Sequence, residues 1–546
     1  MSTQIERLNC AVKNYAWGKL GENSEVARLY IEGHEDKEIN SDTPYAELWI
    51  GTHPDGPSRI HLTNVQLSEI ITDKNKKKNI QLPFIMKIMS IRHTLSLQVH
   101  PTKEQAILLN KQNPINYPDQ NHKPELAYAL TRFELLCGFR PAGEILENMK
   151  AFPELCQAMG YQNTKQFIEL SKQFSSDSYE MINALRKCFS TMINFKKENV
   201  NKLIINLIKR INNGVYGCLN INTIKIIKDM FQVGLEQSEV SEIAGNRNWL
   251  KSRNSELGNQ NFSEIGWKKS RKLEFRPTSG LNLMFGTICF QGYIVRFPTD
   301  IGCLSPIYLN HIILEPGECV YYGAQELHAY LSGECVECVS CSNNTIRAGL
   351  TNKFVDKDNL IKVLNYRMAD PEYYVVNPQS VYGYPHVLEY TPNCRDFILH
   401  AIEIKYNNRN VNEQFKFDLP TIECSSTFIL TEGENIKCIE LNSKKCFLKQ
   451  FIAKRGYIFY IPPMHTIRFF TNNGLYLRGF RTFSFEDGPD HSKRILFKNE
   501  KIKSNNNILN NDTSMDVIKQ QPTKTKLILN PSLNIFDIET EMDGFL

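Results

Sequence analysis

The sequence predicts a mainly β protein that is interrupted by an inserted helical domain. Stretches in which apolar and polar residues alternate, such as 95–101, recur over residues 1–150 and again from 285 to about 350. A period of two is typical of half-buried strands. Between 151 and about 215 apolar residues recur at i, i+3, i+4, i+7, i+8 and i+11, which predicts an amphipathic helix. Its apolar positions are Val200, Leu203, Ile204, Leu207, Ile208 and Ile211.

The chain of 546 residues is too long for one hydrophobic core, so we expect two or three domains. The patterns predict a first β domain over residues 1–150 and 280–365, and an inserted helical domain over 151–279 that becomes partly loop from about 215. A second, smaller β domain is predicted over 366–486. Residues 487–546 are a polar, Asn-rich C-terminal extension, which we expect to be partly disordered.

The composition excludes several classes of partner. The net charge is only +5 and the basic residues are scattered, so we expect neither nucleic acid nor a membrane as a partner. No apolar run is long enough to span a bilayer, and the first residues lack signal-peptide character. Fifteen cysteines without framework spacing fit a reducing compartment. We therefore expect a cytoplasmic protein, and since no feature indicates an obligate interface, a monomer.

One strand-like stretch carries candidate metal ligands. On a strand over residues 95–101, Gln98 and His100 point to the same face, with Ser96 beside them. This face could present an amide oxygen and an imidazole nitrogen to one metal ion. Pro101 then ends the pairing, because proline cannot donate to a ladder. A Gln-x-His pair is usually ordinary surface, so this pattern alone does not establish a metal site.

Two other stretches add candidates of the same kind. Residues 122–125 precede an apolar strand and form either a simple turn or a place for Glu125 as a carboxylate ligand, with Lys123 near a substrate. Taken alone, the turn is favoured. His328 and Tyr330 share one face of a predicted strand, but a single histidine near a strand end is usually structural.

Taken together, the candidate ligands from these three stretches indicate a particular metal. Two imidazoles, a carboxylate and an amide oxygen suit Zn²⁺ with room for water or substrate, and do not suit calcium, magnesium or a thiolate site. Nearby cations imply an anionic substrate, and arginine and lysine match a phosphate best. The candidate ligands are Gln98, His100, Glu125 and His328, and the cations are Lys87, Lys123 and Arg347.

These residues also carry a family resemblance. The chain resembles the type I mannose-6-phosphate isomerases, zinc enzymes of the cupin superfamily, most specifically over 122–125 and where 328–333 are paired with 347–349. The resemblance is strong over most of 1–150 and 297–365 and weaker in the helical part and the second β domain. It is absent from about 215–280 and from 487–546. The matching stretches are 14–18, 45–53, 82–101, 117–141 and 297–351.

The resemblance implies two cupin-like β-barrels of the jelly-roll type and one zinc ion per chain. It implies that the zinc ligands are Gln98, His100, Glu125 and His328, and that Arg347 is the active-site arginine. The other residues that it places in or beside the sugar-phosphate pocket are Trp17, Glu47, Lys87, Ser96, Lys123, Tyr330 and Glu337.

The implied reaction interconverts mannose 6-phosphate and fructose 6-phosphate through a cis-enediol, and would supply mannose for GDP-mannose and glycosylation. It requires one base near both C1 and C2, and groups that stabilise the developing oxyanion. We favour Glu337 as the base, because a carboxylate in a partly desolvated pocket can have its pKa raised towards working pH. Lys123 is the rival base, and the sequence leaves both open.

Two other functions compete with this one. A non-catalytic, sugar-binding cupin would keep the barrel without the chemistry, because fold does not determine function. Such a protein would not need both a base and Arg347. A metal-dependent cupin oxidase or dioxygenase typically has a ligand set richer in histidine, and Gln98 among the ligands argues against it.

Overall fold

The computed structural model of the chain describes residues 4–34, 37–71, 81–224, 300–405, 415–471 and 476–485. Three predictions therefore lie outside the described residues, and these concern the strand from 285, the loop character of 225–279 and the extension over 487–546. The predicted domain boundaries stay a proposal. No described helix is both long and apolar enough to cross a membrane.

Strands dominate the described residues. In chain order they are β1 Glu6–Asn9, β2 Ala11–Lys13, β3 Lys19–Leu20, β4 Pro44–Tyr45, β5 Glu47–Gly51, β6 Arg59–Ile60, β7 Phe84–Ile91, β8 Leu97–Val99, β9 Glu125–Ala129, β10 Phe133–Phe139, β11 Leu309–Leu314, β12 Cys319–Tyr322, β13 His328–Ser340, β14 Ile346–Gly349, β15 Gln379–Val381, β16 Tyr384–Tyr390, β17 Ile398–Lys405, β18 Phe415–Asp418, β19 Ser426–Glu432, β20 Ile436–Leu441, β21 Phe447–Ala453, β22 Ile458–Ile461, β23 Thr466–Thr471 and β24 Tyr476–Phe483.

The helices concentrate between β10 and β11. In chain order they are α1 Glu25–Glu32, α2 Leu67–Ile70, α3 Lys103–Gln112, α4 Ala142–Ala151, α5 Pro153–Met159, α6 Tyr161–Leu170, α7 Tyr179–Ile193, α8 Lys197–Asn212, α9 Ser305–Tyr308 and α10 Lys357–Val363. Three short 3-10 helices lie at Gly21–Asn23, Ile301–Leu304 and Pro371–Tyr374. The predicted fold class, mainly β with inserted helices, is confirmed.

The predicted amphipathic helix is confirmed as α8. Its buried residues are the six that the apolar period selects, from Val200 to Ile211. They join a core cluster that also contains Leu97 and Val99 of β8. The apolar side of β8 therefore packs into the same core as the helices, which leaves the Gln98 side of the strand for another surface.

Two large antiparallel sheets carry most of the strands. The ten-stranded sheet has the order β11-β10-β13-β7-β5-β2, with β8, β9, β12 and β14 joined to it beside this path. The eight-stranded sheet has the order β15-β16-β17-β24-β19-β22-β1-β6. The smaller sheets are β18-β23-β20-β21 and β3-β4. Strand β1, near the start of the chain, thus pairs with β6 on one side and on the other with β22, from the last described part of the chain.

Strand β13 is the centre of the ten-stranded sheet. Its first half pairs with β8 and β10, and its second half pairs with β7 and β9. Gly333 lies where the partners change, with φ of 109°. A Cβ there would lie 2.5 Å from the carbonyl oxygen of Arg132, so this close approach requires glycine.

Candidate metal centre and substrate cleft

Strand register assembles the candidate site in two rows. His328 of β13 lies opposite Gln98 of β8, and Gln98 lies opposite Arg347 of β14. In the second row, Lys87 of β7 lies opposite Glu337 of β13. Residues directly opposite each other in antiparallel strands point to the same side, so each row presents its side chains together.

Three donor groups converge on one point. His100, Glu125 and His328 are buried, and one ligand atom from each lies within 4.8 Å of the others. His100 Nε2 lies 3.2 Å from Glu125 Oε1, and His328 Nε2 lies 3.5 Å from Glu125 Oε2. Gln98 is adjacent, because its Nε2 lies 3.4 Å from His328 Nε2. Rotating this amide by 180° would direct its oxygen to the same place.

Hydrogen bonds outside the cluster orient its members. His100 Nδ1 donates to the carbonyl oxygen of Asn344 at 2.6 Å, and His328 Nδ1 donates to that of Glu326 at 2.9 Å. A carbonyl oxygen can only accept, so each Nδ1 carries the proton and each Nε2 is left as a lone-pair donor. The Tyr322 hydroxyl donates to Glu125 Oε2 at 2.8 Å. Such outer contacts are typical of metal ligands.

The electrostatics give the protonation states that a metal requires. Burial lowers the pKa of both imidazoles, that of His328 to about 3. Burial alone would raise the pKa of Glu125, but Lys123 and His100 hold it well below its ordinary value. Neutral imidazoles and an ionised carboxylate are the forms that bind metal.

The residues present fit a zinc ion. His100 Nε2 is buried and forms no well-aligned hydrogen bond within the described part of the chain. Two imidazole nitrogens and a carboxylate that converge at this spacing are a common donor set for catalytic zinc, which keeps a position open.

A cleft of about 490 Å³ opens beside this cluster. Eleven of the twelve predicted site residues line it, and His100 lies behind them at 1% exposure. Their roles stay predictions, but the fold brings all twelve together. The predicted residues that line the cleft are Trp17, Glu47, Lys87, Ser96, Gln98, Lys123, Glu125, His328, Tyr330, Glu337 and Arg347.

The cations of the cleft fall into two groups. Lys87 Nζ lies 2.7 Å from Glu337 Oε2 and 3.6 Å from Glu47 Oε2, and Lys123 Nζ lies 3.0 Å from Glu125 Oε1. Arg347 and Lys353 form no ion pair with a carboxylate among the described residues. The uncompensated positive charge of the cleft therefore lies on its Arg347 and Lys353 side.

The second row holds a titratable pair. Burial raises the pKa of Glu337, although Lys87 opposes the shift. Burial alone would lower the pKa of Lys87, but Glu337 and Glu47 raise it above its ordinary value. Lys87 therefore stays a cation beside a carboxylate whose pKa lies above its ordinary value.

Sequence reasoning missed several residues of the site, of which four bear on its chemistry. Lys353 and Trp49 also line the cleft, and Tyr322 and Asn344 orient ligands. Among these four, only Lys353 could have been found from the sequence. It follows Arg347 by six positions, and a lysine near an active-site arginine suits a phosphate. The position of Tyr322 opposite Glu125 depends on strand register, which no local pattern reveals.

Comparisons with known proteins agree with this geometry. Residues 5–142 match the family model for the catalytic domain of type I phosphomannose isomerase. Mannose-6-phosphate isomerase of Mus musculus is 33% identical over 443 residues, which cover 79% of this chain and 88% of the mouse protein.

Solved structures share the fold. A mutant phosphomannose isomerase from Salmonella typhimurium superposes with a TM-score of 0.58 at 21% identity, covering 88% of this chain and 100% of that chain. A mannose 6-phosphate isomerase solved with zinc bound has a TM-score of 0.57 at 21% identity, covering 88% of this chain and 99% of that chain.

Proposed function

This chain belongs to the type I mannose-6-phosphate isomerase family, and we propose that its cleft interconverts mannose 6-phosphate and fructose 6-phosphate beside a zinc ion. The observation that carries the proposal is the convergence of His100, Glu125 and His328 at the floor of a cationic cleft. Gln98 is the fourth proposed ligand. A bound zinc ion supplies Lewis acidity and a template for the sugar oxygens.

The charges of the cleft orient the substrate. We assign the phosphate to Lys353, which is exposed at the cleft wall and has no carboxylate partner among the described residues. Arg347 lies opposite Gln98 and therefore beside the metal row, where a guanidinium can stabilise the enediolate. The sugar would then lie between a phosphate site and a reacting end.

Proton transfer between C1 and C2 is assigned to Glu337. A base must accept a proton, and its carboxylate is buried in the cleft with a raised pKa. Lys123 Nζ lies 3.0 Å from Glu125 Oε1 and is thus already the ion-pair partner of a proposed zinc ligand. Lys123 is thus better suited to hold Glu125 and to donate hydrogen bonds to the sugar.

The test combines metal analysis with an assay. We expect about one zinc ion per chain, and turnover of mannose 6-phosphate that disappears on chelation and returns with zinc. His100→Ala should lose both the metal and the activity, whereas Asp42→Asn, at an exposed carboxylate that does not line the cleft, should keep both. A zinc-loaded protein that binds the sugar phosphate without turnover would support a binding cupin, and oxygen consumption would support an oxidase.

We further propose that the enzyme acts as a monomer in the cytoplasm. Fourteen cysteines of the described residues are free thiols, as suits a reducing compartment. Light scattering coupled to gel filtration tests the monomer, and a dimer mass would refute it.

A further inference from the structure

We propose that Asp119 is a positioning residue for the zinc centre, acting through the turn formed by residues 342–344. The inference rests on the proposed zinc ligands and concerns how one of them is oriented. Asp119 lies in the loop before β9, six positions ahead of Glu125. It touches neither the proposed ligands nor the cleft.

The Asp119 carboxylate accepts hydrogen bonds from three consecutive residues. Asp119 Oδ1 accepts from Ser342 Oγ at 2.8 Å and from Asn344 Nδ2 at 3.0 Å, and Asp119 Oδ2 accepts from the main-chain N–H of Asn343 at 2.7 Å. The main-chain oxygens of Asp119 and Asn121 accept from Asn344 Nδ2 at 2.8 and 2.9 Å. The turn is therefore held by the Asp119 carboxylate and by main-chain oxygens of the loop in which Asp119 lies.

The clamped turn carries the acceptor that orients His100. Asn344 is fully buried, and its carbonyl oxygen receives the His100 Nδ1 proton at 2.6 Å. The direction of that carbonyl depends on the conformation of Asn344, whose side chain donates to Asp119 and whose preceding residue, Asn343, donates its main-chain N–H to the same carboxylate. Because the Nδ1 acceptor sets the ring angle and the basicity of Nε2, the Asp119 carboxylate influences a ligand that it does not touch.

The same turn leads into the strand that carries Arg347. Ser342 and Asn343 line the cleft, and β14 begins at Ile346. A loosened turn should therefore weaken zinc binding more than it displaces Arg347. A general loss of stability would not weaken zinc binding selectively in this way.

The test measures zinc affinity rather than turnover. We expect Asp119→Ala to bind zinc about 10–100-fold more weakly than the parent, by competition with a chromophoric chelator. Asp119→Asn, which keeps the size of the side chain, should show a smaller loss, and it replaces Asp119→Ala if that variant does not fold. Asp42→Asn is the charge-matched control and should bind zinc as the parent does.

A double-mutant cycle tests whether Asp119 acts on zinc binding through Asn344. Asn344→Ala keeps the carbonyl oxygen but loses the amide contacts to Asp119, so the double variant should bind zinc about as weakly as either single variant. An affinity within twofold of the parent in both Asp119 variants, or fully additive losses, would overturn the proposal. Undiminished zinc affinity in His100→Ala would instead overturn the ligand set, so the two failures are distinguishable.

Discussion

At the scale of residues, the site consists of groups whose charges are paired, with two exceptions. Lys87 and Lys123 each face a carboxylate, whereas Arg347 and Lys353 have none among the described residues. Charge that is not neutralised within the protein is available for an anionic substrate. In the proposed function, the paired cations position carboxylates and the unpaired ones bind the substrate.

Replacing Arg347 tests this division. Arg347→Ala should lower kcat by about 10²–10³-fold, because one donor to a developing oxyanion contributes that much. Zinc content should not change, since Arg347 is not a proposed ligand. Arg347→Lys should be intermediate, because it keeps the charge and loses the fork geometry. Near-normal turnover of Arg347→Ala would remove the assigned role.

The choice between Glu337 and Lys123 as the base is a question of pH dependence. A base works ionised, so kcat/KM should fall as the pH drops towards the pKa of Glu337, which lies above its ordinary value of 4.5. Glu337→Gln should lose about 10²–10⁴-fold in kcat, together with this acid limb. Lys123→Gln should lower kcat and keep the limb. The profiles are to be measured with saturating zinc, and a limb that persists in Glu337→Gln would exclude it as the base.

At the scale of elements, β8 and β13 each contribute residues to the candidate site and to the packing of the protein. The other side of β8 carries the proposed ligand Gln98, whereas Leu97 and Val99 belong to the core formed with the helices. Gly333 lets β13 change partners in mid-strand, so that one strand supplies both His328 and Glu337. The alternation of β8 was readable from the sequence, but the change of partners along β13 was not.

The helical insertion gives a prediction about stability. Leu207→Ala in α8 should lower the free energy of unfolding by about 2–5 kcal/mol, because it leaves a cavity in a core where Leu207 is only 2% exposed. Urea denaturation measures the change. Lys202→Ala, on the exposed side of the same helix, should stay within about 0.5 kcal/mol of the parent. Equal effects of the two variants would contradict the observed orientation of α8.

At the scale of the whole molecule, contacts between distant parts of the chain support the loop that precedes Glu125. His122 Nε2, next to Lys123, lies 2.9 Å from Asp396 Oδ1, which comes from the segment before β17 in the eight-stranded sheet. The Tyr321 hydroxyl donates to the carbonyl oxygen of Asn393 at 3.2 Å in the same segment. The second sheet thus holds the loop in which Lys123 lies.

This pair should make stability depend on pH. Burial alone would raise the pKa of Asp396, but His122 lowers it below its ordinary value of 3.8. A depressed pKa contributes stability that is present above pH 3.8 and is lost as the pH falls through the folded-state pKa. Asp396→Asn should therefore cost about 1–3 kcal/mol at pH 7, and less once the pH falls below 3.8.

Urea unfolding at a series of pH values checks this prediction. Asp42→Asn, an exposed carboxylate, should change stability by less than about 0.5 kcal/mol throughout. A cost of Asp396→Asn that does not vary with pH would show that the contact acts through packing rather than through charge.

By itself, the sequence determined the mainly β class, the amphipathic helix whose apolar residues run from Val200 to Ile211, and the types of residue suited to zinc and phosphate. These follow from local periodicity and from side-chain chemistry, which need no knowledge of distant partners. The tertiary structure alone decided that His328 faces Gln98 and that Tyr322 faces Glu125. It also decided that Asn344 orients His100, and that β1 pairs with β22. Strand register and long-range pairing depend on how the chain packs as a whole. An alternating pattern does not specify which strands pair or which of their residues lie opposite each other.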